Sequence, residues 1–411
     1  MKRNILLISL LCLSLWVKGQ SGLQPMVFGH IDTVYSKILK EKRPVWIYTP
    51  NFDTVYFTKP KFPVLYVLDG DGHFASLVTM IQQLGQVNGN MVVPQMIIVG
   101  IPNIRGQRTK DLTPIKGAED TTSGGGENFT AFIEKELIPY VDQHYATAPY
   151  RTFMGHSLGG LLVINTLLKH PDLFSAYVAM EPSMSFDGDI LLNQVGEILK
   201  RKDFKGKSLF LAIANTMYGG MDTAQVRSDT GVLTRHIRSI LKLKDKLQAY
   251  PSNNLRWSYK YYPDDDHASV PFIAGYDALR FIFRDNKFPS NQPQYQYYDT
   301  TIKPIEVRKL IDAHCELMSK ELGYTVKPDE WNINRFGYQF LQQKDFERAK
   351  MFFQINIDYY PRNFNCYDSM GDYYLGINDK ATAMRYFEKA LSLKYRQDIK
   401  EKLEKLKKEK Q

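Results

Sequence analysis

From about residue 44 to 285 the chain alternates short, almost wholly apolar runs with helical stretches, and this alternation limits the fold more than any other feature. The runs are Pro44–Pro50, Pro63–Leu68, Met96–Ile101, Thr152–Met154, Ala176–Met180, Leu209–Ala214 and Arg256–Tyr262. A strand with one face in water alternates apolar and polar residues, whereas one that is apolar throughout is covered on both faces. Helical stretches such as Asn128–His144 and Leu158–Lys169, the second stopped by Pro171, supply that cover. The order strand, helix, strand, helix predicts an α/β layer fold around a mainly parallel sheet. With 411 residues, 44% of them apolar, the chain can bury a large core and form two or three domains. The same composition excludes a disordered chain, a collagen-like repeat and a polytopic membrane protein.

The run Thr152–Met154 leads into Gly155-His156-Ser157-Leu158-Gly159-Gly160, and the helix Leu158–Lys169 follows at once. A GxSxG between a strand and a helix is a nucleophile elbow: the sharp turn strains the serine backbone and holds Oγ out of the sheet. Gly155 and Gly159 leave room for neighbouring chain. The helix N-terminus offers N–H groups to a developing oxyanion. Ser157 is therefore the candidate nucleophile.

A serine hydroxyl needs a base to become a strong nucleophile. Elbow hydrolases carry the triad in the chain order serine, acid, histidine. His267, in Pro263-Asp264-Asp265-Asp266-His267-Ala268-Ser269-Val270-Pro271 after the last strand, fits that order. His236 and His314 fall within helical patterns and read as surface or packing residues. His156 is the variable position of the elbow, His170 closes a helix, and His30, His73 and His144 precede the serine. The acid holds the imidazole in its productive tautomer and stabilises the imidazolium. It should follow Leu209–Ala214, where Asp222 is the one carboxylate of the loop Asn215–Asp222. Glu181 and Asp187, after the preceding strand, compete for the role, and a Ser–His dyad is a further option. Asp264–Asp266 read as shaping the loop beside His267. Oxyanion donors are expected from the backbone N–H of Leu158 and of Asp71, where Gly70 and Gly72 let the chain turn an N–H into the site. Such chemistry supplies its own nucleophile, so neither cofactor nor metal is expected. Gly124-Gly125-Gly126 lacks the preceding strand and following GK[ST] of a phosphate loop.

The stretches VLYVLDGDGHF (64–74), IIVGIPNIRGQRTKDLTP (97–114), FIEKELIPYVDQHY (132–145), RTFMGHSLGG (151–160) and DDDHASVP (264–271) resemble the Putative esterase branch of the α/β hydrolases. That group includes esterase D, siderophore esterases, feruloyl esterases and mycolyltransferases. The resemblance spreads over most of residues 25–285 and implies an α/β-hydrolase fold with Ser157 as nucleophile and His267 as base. It carries no acid over cleanly. EPSMSFD (181–187) stands where the family more often has tryptophans near the site, so Ser185 and Phe186 imply a different acyl pocket. Arg105, Arg108 and Asp111 fall in a family-like loop, in which Arg108 and Asp111 are expected to form a structural pair. The implied activity is carboxylic-ester hydrolysis through an acyl-enzyme, on siderophore lactones, feruloyl or acetyl esters of glycans, or small acyl esters.

The run Phe288–Pro304, rich in Pro, Gln, Asn and Thr, reads as a linker. Beyond it the pattern is helical and repeats: Gly337, Ala349 and Phe353 recur 34 residues later as Gly371, Ala383 and Phe387. This resembles tetratricopeptide repeats over about 331–397, although Tyr395 stands where the second repeat would have Pro. The N-terminus, with Lys2-Arg3, an apolar run Ile5–Trp16 and small Gly19, reads as a signal peptide too short to span a bilayer stably. The expected layout is a signal peptide at 1–19, an α/β-hydrolase domain at 20–286, a linker at 287–305, helical repeats at 306–397 and a charged helix at 398–411. Export follows, to the periplasm or beyond. Cys315 and Cys366 then remain, enough for one disulfide but not a framework.

Most of the formal charge of +9 sits in the leader and in the tail from Lys394, leaving the body near neutral. Nucleic acid is thereby set aside as a partner. Expected partners are a small-molecule or glycan-linked ester and a protein at the helical repeats. The rival reading is a catalytically inactive periplasmic scaffold acting through those repeats.

Overall fold

The structure, a computed structural model, describes residues 26–409 apart from 119, 218–219 and 289–293. The signal segment expected at 1–19 and part of the expected linker lie outside the described residues. Among the described residues, eight strands form one sheet: β1 (His30–Ser36), β2 (Glu41–Tyr48), β3 (Phe62–Leu68), β4 (Ile97–Ile101), β5 (Thr147–His156), β6 (Ala176–Met180), β7 (Ser208–Ala214) and β8 (Arg256–Tyr262). Their order is β1-β2-β4-β3-β5-β6-β7-β8. The first two pairings, β1–β2 and β2–β4, are antiparallel, and every later one is parallel. The mainly parallel α/β sheet is as expected. Only β1 escaped the sequence reading, because HIDTVYS is an edge strand with most residues in water.

The apolar strands are explained by cover on both faces. Along β3, Val64, Tyr66 and Leu68 enter one core while Leu65 and Val67 enter the other. Helices α1 (Gly70–Gly85) and α5 (Val270–Ile282) pack on the second of these faces. Helices α2 (Leu158–Lys169), α3 (Phe186–Arg201) and α4 (Arg235–Ala249) pack on the first. Strand ends in such a sheet converge on a crevice at their C-terminal edge, and the candidate site lies there.

The C-terminal region is all-helical: α6 (Pro304–Leu322), α7 (Glu330–Gln342), α8 (Phe346–Tyr359), α9 (Phe364–Gly376), α10 (Lys380–Leu393) and α11 (Gln397–Glu409). Side-chain caps from Asp329, Asp345, Asn363 and Asp379 open α7 to α10, each accepting an otherwise orphaned N–H. A Cβ on Gly337 would stand 2.5 Å from the Phe353 ring, and one on Gly371 would stand 2.5 Å from the Phe387 ring. The 34-residue spacing thus repeats one contact, a glycine under an aromatic ring.

Two ties join the helices to the sheet layer. Met318 and Leu322 of α6 share a core with Tyr150 and Phe283. At the second tie, the segment 55–58 runs along the helical region. Thr58 N donates to Glu330 Oε2 at 2.8 Å, Asn363 Nδ2 to Tyr56 O at 2.8 Å, and Lys394 Nζ to Val55 O at 3.1 Å. Cys315 and Cys366 are free and buried, so the disulfide they could have formed is absent between them.

Candidate active site

Ser157 sits between β5 and α2 with φ 58° and ψ −118°, a left-handed conformation that costs a non-glycine residue of order 1–3 kcal/mol. Neighbouring backbone holds it there: Ser157 N donates to Met180 O at 3.0 Å, and Ser183 N donates to Ser157 O at 3.0 Å. Glycine at 155 is obligatory, because a Cβ there would lie 2.5 Å from the carbonyl of Gly159. The hydroxyl of Ser157 lies 3.2 Å from that of Ser183.

His267 lies in the turn between β8 and α5. The aspartates before it shape that turn, as expected. Asp266 accepts from Ala268 N and Ser269 N, both at 2.8 Å, and Asp265 accepts from Ser269 Oγ at 2.8 Å. The His267 ring is 4.5 Å from that of His156, the residue preceding the serine. Burial, and then the field of His236, hold the His267 pKa below the usual histidine value, with Glu181 pulling the other way. Burial also pushes His156 down to about 4, helped by His267 and His73, so it sits neutral beside the elbow.

The carboxylate that faces His267 is Glu181, one of the two competing candidates. It directly follows β6 with φ 46°, and its side chain is fully buried. Thr216 Oγ1 donates to its Oε1 at 3.4 Å, while Oε2 stands 3.5 Å from His236 Nε2. Atoms of Glu181, His236 and His267 all lie within 4.8 Å of one another. Asp222, the favoured acid of the sequence reading, is instead turned onto its own chain. It is exposed and accepts from Ala224 N at 2.8 Å and Gln225 N at 2.7 Å, opening a short helix. Asp187 accepts from Ala118 N at 3.0 Å.

His236, read from the sequence as a surface or packing residue, belongs to this cluster. It occupies the first turn of α4, and its ring is 5.0 Å from that of His267. An amphipathic helical pattern places a residue on a face but cannot show what a helix end points at.

Two helix N-termini approach the elbow. Leu158 begins α2, and Asp71 lies in the first turn of α1, so neither N–H has an intrahelical acceptor. The turns are adjacent: a Cβ on Gly159 would meet Asp69 Oδ2 at 3.2 Å. Asp69 is clamped by Arg108 Nε at 2.6 Å and Nη2 at 2.9 Å, and by Asn103 Nδ2 at 2.6 Å. Burial opposes its ionisation, but Arg108 and Asn103 override this and hold the carboxyl below the usual range. The expected Arg108–Asp111 pair is therefore not formed. Asp111 meets Arg43 of β2 at 2.7 Å, because the helical turn at 108–112 points the two side chains to different neighbours.

A mainly parallel sheet with a serine at the turn from β5 into a helix, a carboxylate after β6 and a histidine after β8 defines a hydrolase of the serine α/β class. The chain belongs to the Putative esterase family, whose model matches residues 36–270. It is 26% identical over 255 residues to ferri-bacillibactin esterase BesA of Bacillus subtilis, covering 55% of this chain and 83% of that protein. Among solved structures, an IroE-like serine hydrolase from Shewanella oneidensis superimposes with a TM-score of 0.64 at 29% identity, over 80% of this chain and 99% of that one. An uncharacterised protein from Capnocytophaga ochracea shares the fold with a TM-score of 0.56 at 16% identity, over 92% of this chain and 99% of that one. The protein is an esterase, a hydrolase of ester substrates.

Proposed function

We propose that the protein cleaves carboxylic esters through Ser157, His267 and Glu181. His267 takes the Ser157 proton as Oγ attacks the ester carbonyl, forming a tetrahedral oxyanion. The N–H groups of Leu158 and Asp71 receive that negative charge. Collapse expels the alcohol, which leaves with the proton from His267. Water, deprotonated by the same imidazole, then clears the acyl-enzyme. Glu181 steadies the imidazolium in both halves. The observation that carries this reading is the convergence of a strained serine, a half-buried histidine and a fully buried carboxylate at the ends of β5, β8 and β6.

The substrate is proposed to be a siderophore ester, on the strength of the relatives named above, with simple acyl esters as surrogates. Export to the periplasm or beyond fits such a role. Among the described residues no helix is long and apolar enough to cross a membrane. The helix pairs with their repeated Gly–Phe contact are proposed as tetratricopeptide-like repeats that offer a surface to a protein partner.

The test is turnover of p-nitrophenyl acetate, butyrate and octanoate, and of a ferric trilactone siderophore, beside Ser157→Ala. Wild type should turn over an ester, and the variant should lose at least about 1,000-fold. Equal inertness of both folded proteins on every substrate would refute the proposal.

A further inference from the structure

A triad needs one carboxylate and one histidine, and the cluster at Glu181 holds one histidine more. Four buried side-chain atoms there lack a hydrogen-bond partner among the described residues: His156 Nε2 beside the elbow, and the closely grouped Glu181 Oε2, His236 Nε2 and His267 Nδ1. Buried polar atoms are nearly always paired, so three unpaired ones converging from three elements call for an explanation. The esterase reading accounts for two of them, because Glu181 and His267 can close on each other. It gives His236 Nε2 no role beyond its 3.5 Å approach to Glu181 Oε2.

We propose that Glu181, His236 and His267 form a binding site for a divalent transition metal of the zinc and cobalt kind, which when filled shuts the esterase off. The ion here is a regulator, not a cofactor; this inference rests on His267 being the base.

The donor set suits such an ion. Two imidazoles and one carboxylate, with a fourth position left to water, match the three-ligand sites that zinc occupies. Tetrahedral bonds of about 2.0–2.1 Å put ligand atoms about 3.3 Å apart. His236 Nε2 and Glu181 Oε2 already stand 3.5 Å apart, and no pair in the cluster exceeds 4.8 Å. Closing the set therefore needs side-chain adjustment, with no change of fold. The carboxylate is oriented by the Thr216 hydroxyl on its other oxygen, the kind of outer contact that steadies a metal ligand. The nearby cation Arg108 is already neutralised by its two bonds to Asp69. His236 keeps 24% of its side chain in solvent, so an ion can enter from that side.

Occupancy and catalysis exclude each other. An ion on His267 takes the nitrogen that must close on Glu181 during catalysis and withdraws charge from the ring, so the imidazole can no longer accept the serine proton. Metal binding, in contrast, does not involve Ser157.

The experiment uses the full chain carrying Ser157→Ala, stripped with chelator and titrated with Co2+. One equivalent should bind with the visible bands of tetrahedral cobalt and be displaced by Zn2+. His236→Gln and Glu181→Gln, checked for folding by circular dichroism, should each weaken binding at least about 100-fold. Should His236→Gln fail to fold, His236→Asn replaces it. In the wild type, Zn2+ should inhibit p-nitrophenyl butyrate hydrolysis at the concentration that fills the site, and EDTA should restore it. Absence of the bands, or bands indifferent to His236 and Glu181, overturns the proposal, as does full activity with the site filled. Ser157-dependent turnover without cobalt bands would sink the metal site alone. Bands without any ester turnover would sink the esterase reading, and with it the inhibitory role.

Discussion

The assignment of the acid is the sharpest test of the site, and Glu181→Gln beside Asp222→Asn decides it. Glutamine keeps the shape of Glu181 and the Thr216 contact at Oε1 while removing the charge. At a separation of at most 4.8 Å and an effective dielectric constant of about 20, the carboxylate favours the imidazolium by about 3.5 kcal/mol. Each 1.36 kcal/mol is tenfold in rate, so the charge alone accounts for roughly 300-fold in kcat/KM. Misdirecting the histidine tautomer adds to this, and losses of about 10,000-fold are known for such a change in a serine protease. Asp222→Asn removes a charge from an exposed turn whose two N–H donors an asparagine oxygen can still meet. Its kcat/KM should stay within about twofold. The assay is steady-state hydrolysis of p-nitrophenyl butyrate with chelator present, on variants whose Tm shows them folded. A large loss in Asp222→Asn with Glu181→Gln near wild type would refute the reasoning. Near-wild-type rates in both would show that a Ser–His dyad suffices.

Two further outcomes follow from the geometry. Because His267 acts as a neutral base and its pKa is lowered, kcat/KM should rise with pH through an inflection below about 6.5 and be flat above it. His236→Gln, which removes the field that lowers the His267 pKa, should move that inflection upward, and an unmoved or lowered inflection would contradict the assigned cause. Gly337→Ala drives a methyl to 2.5 Å from the Phe353 ring and should cost about 1–3 kcal/mol in denaturant unfolding, with Phe353→Leu in the same chain recovering part of it.

Much of this was legible in the sequence, and the exceptions share a cause. Apolar runs such as LFLAI in β7 announce a strand covered on both faces, since they are too short for a buried helix of ordinary length. Ser157 is visible because its turn demands glycines at fixed offsets, and His267 because chain order leaves it little competition. Glu181 stands among the sequence candidates behind Asp222, because chain order puts the acid after β7, whereas the buried carboxylate near His267 follows β6. A signal did exist: Glu181 continues the wholly buried strand AYVAM without a break, so it could hardly be a surface residue. His236 and the Arg43–Asp111 pair were hidden for a different reason. Each depends on where two elements distant in sequence come to face each other, which periodicity does not encode. The edge strand β1 was missed because an edge needs only one apolar face and tolerates polar residues.

The two ties between sheet layer and helices change what dissection of this protein can mean. Removing 304–411 looks, from the sequence, like trimming an appendage at a linker. In the folded chain the same cut would bare the core around Tyr150 and Phe283 and strip the segment 55–58 of the partners that hold its backbone. A truncated enzyme would then report damage to its own foundations along with the loss of its helices. The helical region is better regarded as masonry than as cargo, and its contribution is to be sought by single changes on its outer faces, with the chain kept whole.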